Sequence, residues 1–136
     1  MTGAVFKAWF AGAGILVFAY VTWFAFLQVG TYSELFVFLL WSSPFIAALV
    51  SSYLGPSKKI ILGASMAVTS AILAVIFNTA YQLLGNAVDF PNFQGGLILF
   101  ATTLIHSGIV AGLGSVVGYF LARQRESKVQ HRKFGR

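Results

Sequence analysis

Apolar positions dominate four stretches of the chain, roughly residues 8–28, 32–54, 60–84 and 96–122. Apart from Glu34 near the start of the second, these stretches contain no Asp, Glu, Lys or Arg. Each is as long as the roughly 20 residues that a helix rising ~1.5 Å per residue needs to cross a ~30 Å hydrocarbon core. The pattern predicts four transmembrane helices in one domain, residues 1–122, followed by a short tail, 123–136. The fourth stretch is long enough to tilt or to project a turn beyond the bilayer. Short connections make consecutive spans antiparallel, so the expected fold is all-α, an up-down four-helix bundle.

Polar and small residues punctuate the ends of the spans. Thr31 followed by Glu34 reads as a capping box opening the second span, with Gly30 ending the turn before it. Gly55-Pro56-Ser57 stops the second span and offers Ser57 as N-cap of the third. Gly85 suits the position just past the third span, and Asn86–Gln94 is the longest connection. Trp9, Tyr53 and Tyr119 fall near one membrane surface and Tyr32 and Tyr81 near the other, as aromatic belts require.

Charge orients the bundle. All nine Lys and Arg residues lie before the first stretch (Lys7), between the second and third (Lys58 and Lys59) or after the fourth. The two other connections carry only Glu34 and Asp89. By the positive-inside rule both termini are expected in the cytoplasm, N-in and C-in. Lys7 ahead of an apolar run too long for a signal-peptide core reads as a retained signal-anchor. Compact loops and strong charge asymmetry favour a bacterial inner membrane. In the tail, Arg123, Arg125, Lys128, Arg132 and Lys133 are expected to meet anionic lipid at the cytoplasmic face or an acidic partner. Without a folded basic domain they do not point to nucleic acid.

Chemistry is sparse. There is no cysteine, no carboxylate pair, no cluster of metal ligands and no acid deep in a span. Ser115 follows Gly112-Leu113-Gly114, but His106 on the same helix points elsewhere, which rules out a Ser–His dyad within one chain. No enzyme activity, metal or cofactor is expected. Polar residues at depth run from the midplane outward: Ser42, Ser43 and Pro44 in the second span, Asn78 in the third, and Thr102, Thr103 and His106 in the fourth. Pro44 removes the helical hydrogen bond to the Leu40 carbonyl. His106 lies about 11 residues into its span, roughly 16 Å deep. Together they form a candidate outward-facing pocket or pathway above a base of Gly, Ala and Ser.

Small residues at helical spacing mark packing faces, because helices in lipid associate through close backbone approach. The fourth span carries Gly108, Ala111, Ser115 and Gly118, with Gly112 beside them. At 100° per residue His106 points about 160° away from Gly108. If one of these faces closes the bundle, the other needs a second partner, so span four is expected to be contacted on two sides. The expected function is a non-catalytic membrane subunit that self-associates or docks into a larger membrane complex through span four. The alternative is a small channel, holin-like pore or transporter using the polar pocket.

Overall fold

A computed structural model describes residues 3–30 and 33–134, with side chains as far as residue 130. It contains four helices and, among the described residues, no strand: α1 (Gly3–Gln28), α2 (Glu34–Leu54), α3 (Lys59–Leu83) and α4 (Asn92–Phe134). All four are long and apolar enough to cross a membrane. α2 and α3 lie within two residues of the second and third apolar stretches, whereas α1 begins at Gly3, ahead of the first, and α4 begins ahead of the fourth and runs on through the basic tail for 43 residues in all.

Helix ends differ in detail from expectation. Thr31, expected to open a capping box, lies outside the described residues; Ser33 caps α2, its hydroxyl accepting the Leu35 N–H at 3.3 Å. Ser57 does not cap α3. Lys58 occupies that position in a left-handed conformation (φ +47°) and gives no side-chain cap. The Gly55–Lys58 turn therefore reverses one residue later than the Ser57 cap requires. Gly85 has φ +83°, the conformation that favours glycine past a helix end. Asn92 opens α4 at φ +76°, its side-chain oxygen accepting the Gly95 N–H.

Pro44 leaves the Leu40 carbonyl without its helical donor. The neighbouring Ser43 supplies one: its hydroxyl donates to Leu40 O at 2.7 Å. The serine that precedes the proline thus offsets the bond that the proline removes, and α2 continues unbroken to Leu54.

Side-chain size decides how the helices pack. α2 and α3 contact each other and both flanking helices, whereas α1 and α4 do not contact one another among the described residues. Toward the basic end of the bundle, every close crossing has a glycine in it. A Cβ on Gly12 of α1 would lie 2.7 Å from Ala47 O and 2.9 Å from Met66 Sδ. One on Gly63 of α3 would lie 2.5 Å from Ser115 Cβ and 2.8 Å from Ala48 O. Gly114 and Gly118 of α4 sit on the backbone of Phe45 and Leu49 in α2. Between these glycines lie Leu16, Ala47, Ala48, Met66, Ala67 and Ala111, the apolar core. Buried serines fill the remaining small positions, and most return their hydroxyl to a backbone carbonyl, as Ser52 does to Lys59 and Ser107 to Ala67. A small side chain whose hydroxyl is bonded to a carbonyl packs closely and leaves little polarity uncompensated. Among the described residues, Ser51 Oγ is the buried side-chain polar atom left without a partner.

Large apolar side chains such as Phe18, Phe38, Ile105 and Ile109 point away from the bundle. An apolar exterior around a core of small residues reverses the soluble pattern and suits lipid, where close contact and not expulsion from water drives helix association.

Candidate functional site

At the end opposite the basic residues, rings replace the glycines. α1 contributes Tyr20 and Trp23, α2 Trp41, α3 Phe77 and Tyr81. These side chains cannot interdigitate as glycine and alanine do, and they hold the four helices apart. The result is a cleft of about 570 Å³ that all four helices line. The volume falls within the range of roughly 300–1,000 Å³ typical of small-molecule sites. The connection between α3 and α4 forms its rim through Ala87, Val88, Asp89 and Phe90. Asp89 and Ala87 are exposed, so the cleft is open at the rim.

Several bonds fix its walls. Tyr20 is buried, donates its hydroxyl proton to Ser70 O at 3.0 Å and stacks on Phe77 with ring centroids 5.6 Å apart. Phe24 meets both Phe77 and Tyr81 edge-on, extending the aromatic wall between α1 and α3. Asn78 donates from its amide nitrogen to Phe90 O at 3.0 Å, which ties the rim to α3. Gly95 of α4 presses against the Phe90 backbone from the other side, leaving no room for a Cβ. His106 packs on Trp41 with centroids 4.7 Å apart and its Nε2 is 3.5 Å from Trp41 O. One face of the imidazole borders the cleft.

The residues singled out in the sequence separate into groups. Pro44, Asn78, Thr102, Thr103 and His106 come together in the cleft. Ser42 and Ser43 do not line it, because their hydroxyls turn back to the Leu39 and Leu40 carbonyls. Thr102 is likewise back-bonded, to Ile98 O and Leu99 O. In the small-residue set, Ala111, Ser115 and Gly118 are buried against α2 and α3. Gly108 and Gly112 meet nothing within 4 Å and lie on the outer side of α4. The packed face of α4 is centred on Ser107, Ala111, Gly114, Ser115 and Gly118. One bundle thus accommodates His106 together with Ala111, Ser115 and Gly118, while Gly108, about 160° from His106, and Gly112 stay uncovered.

The basic tail also has a place. Arg125 lies 5.7 Å from the centre of the Tyr53 ring, and with Lys128 it borders a shallow groove between α2 and α4. Lys59 pairs with Glu126, joining the start of α3 to the extension of α4. Arg123 is exposed; the side chains of Arg132 and Lys133 lie outside the described residues.

Sequence inspection passed over Tyr20, Trp23, Trp41, Phe77 and Asp89 as cleft residues. The available signal was periodicity. Tyr20, Trp23 and Leu27 share one face of α1, and Ala74, Phe77, Asn78 and Tyr81 share one face of α3. What periodicity cannot supply is that these two faces meet.

The cleft joins a hydrophobic aromatic wall to a few convergent polar groups, namely the Asn78 amide, the His106 ring and the Asp89 carboxylate. That is the composition of a ligand site. No protein-family model matches this chain, and no curated protein or solved structure is similar to it.

Proposed function

We propose that this is a non-catalytic integral membrane protein that takes a small molecule into its cleft, as a carrier or a binding protein. In this reading the chain is an up-down bundle in a bacterial inner membrane with both termini cytoplasmic. The separation of all basic residues from Glu34 and Asp89 supports that orientation, and it turns the cleft outward. The observation that carries the proposal is the cleft itself, enclosed by four helices above a base closed at Gly12, Gly63, Gly114 and Gly118. A closed base favours a carrier or binder over an open pore. Transport by such a protein requires α1 or α4 to part from the central pair.

Thermal unfolding of the purified protein with three phenyl-bearing probes tests this: tetraphenylphosphonium, tetraphenylborate and neutral triphenylphosphine oxide. At least one should raise the unfolding temperature, since a ligand that binds only the folded state stabilises it. Ala74→Phe, which fills the cleft, should abolish the effect. No stabilisation by any probe overturns the proposal.

A second reading has its own support. Gly108 and Gly112 form an uncovered small-residue strip beside the exposed Ile105 and Ile109 on the outer side of α4, the kind of surface that lets a helix of another subunit or a second copy approach. Gly108→Leu with Gly112→Leu should then reduce the assembly size in native mass spectrometry. An unchanged size removes that reading. Gly118, which lies inside the bundle, is unsuited to the test.

A further inference from the structure

We infer that the cleft selects lipophilic organic cations, a step that rests on the ligand-binding reading above. Trp23, Trp41, Phe77 and Tyr81 present ring surfaces to one space, and Asp89 stands at its rim. Aromatic faces carry negative potential, and an enclosure of several rings is the usual means of holding an ammonium or phosphonium centre that offers no hydrogen bond. The charge inventory of this end points the same way. Its connections hold Glu34 and Asp89 and no basic residue, whereas the third acid, Glu126, is paired with Lys59 at the opposite end. The positive residues whose side chains are described thus lie toward the other end of the bundle from the cleft. Low-dielectric walls focus the field of the two carboxylates and raise the local concentration of cations.

The same features exclude anions. An anion would meet the rim carboxylate and the ring faces with no cation to offset them. Tyr20 already donates to Ser70, and the Asn78 amide N–H to Phe90. The described bonds leave the Asn78 carbonyl oxygen and the Asp89 carboxylate as acceptors, beside the Thr103 and Tyr81 hydroxyls, the Trp23 and Trp41 indole N–H groups and the His106 ring. A site rich in aromatic rings, with a carboxylate and no Lys or Arg at its rim, matches a ligand with a delocalised or shielded positive charge and apolar substituents.

The experiment is a fluorescence titration of the full-length protein in zwitterionic lipid nanodiscs. A Trp9→Phe background leaves Trp23 and Trp41, both at the cleft, as the only tryptophans. Tetraphenylphosphonium and tetraphenylborate have one shape and opposite charge, so their comparison isolates the sign once each ion's uptake by protein-free nanodiscs, where the interfacial dipole potential favours the borate, is subtracted. The phosphonium should bind saturably, one per chain, and at least about tenfold more tightly than the borate. Asp89→Asn should weaken it roughly fivefold, the effect of one carboxylate acting at short range in a wet rim. Trp41→Leu should weaken it at least about threefold, through the loss of one ring. Borate binding as tight as the phosphonium, or unchanged phosphonium affinity in Asp89→Asn, overturns the inference and leaves the cleft as a ligand site. Failure of both ions to bind also overturns it. The ligand-binding reading then stands or falls separately, on the neutral triaryl probe of the thermal test.

Discussion

Replacing single glycines of α4 by alanine separates the packed face of that helix from its outer face. A Cβ at Gly114 would lie 3.0 Å from the Phe45 carbonyl carbon and 3.1 Å from its Cα. One at Gly118 would lie 2.9 Å from Ser52 Cβ and 3.1 Å from the Leu49 carbonyl carbon. The carbonyl oxygens of Phe45 and Leu49 are closer still. Carbon atoms settle at ~3.5–4.0 Å, so α4 would have to withdraw from α2 by about 1 Å at either site. The obstacles are mostly backbone, which cannot swing aside as a side chain can. Overpacking of this kind costs about 1–3 kcal/mol, and Gly114→Ala and Gly118→Ala should each lose that much. At Gly108 and Gly112 an added Cβ meets nothing within 4 Å. Alanine there exchanges a poor helix former for a good one without a clash, and stability should stay unchanged or rise by up to ~1 kcal/mol. The assay is reversible unfolding in mixed micelles, titrated with a denaturing detergent and followed by circular dichroism. Equal destabilisation by Gly112→Ala and Gly114→Ala would refute the assignment of the two faces, as would a neutral Gly114→Ala.

Three further outcomes follow from the bonding. Ser43→Ala should destabilise by about 1 kcal/mol because it leaves the Leu40 carbonyl unpaired. In a Pro44→Ala background, where an N–H again reaches Leu40, that loss should largely vanish; additive effects in the four-variant cycle would count against it. Asn78→Leu should free the rim from α3, raising hydrogen exchange across residues 86–91 while helix content stays constant; unchanged exchange would mean that Gly95 alone holds Phe90. Glu126→Gln should alter stability by less than about 1 kcal/mol, since Glu126 is exposed and its pairing with Lys59 is screened; a larger loss in the same unfolding assay would give the α4 extension a structural role.

The sequence carried the helices better than their mutual arrangement, for a physical reason. Span existence follows from length and apolarity, which solvent imposes locally, so four spans were readable, the second and third to within two residues. The turn after Leu54 was not, because whether Ser57 or Lys58 begins α3 depends on a left-handed residue that propensity does not foretell. The faces of α4 were half legible. Ala111, Ser115 and Gly118 lie where small-residue spacing placed them, but Gly108 and Gly112 share that spacing and point outward. Five small residues around one helix define no unique face until a partner chooses among them. The polar part of the cleft was legible because polar residues deep in a span are scarce. Its aromatic part was not: Trp23, Trp41 and Phe77 look the same in sequence whether they face lipid or a cavity.

Accessibility measured from outside intact cells bears most directly on the outward cleft above a closed base. The chain has no cysteine, so a single introduced thiol reports alone. Thr103→Cys lines the cleft and Ala111→Cys lies fully buried in the base, about two turns along the same helix. A small, charged, membrane-impermeant thiol reagent added outside should label the first and spare the second. Labelling of Thr103→Cys only in inverted membranes, or of both positions alike, would contradict the account.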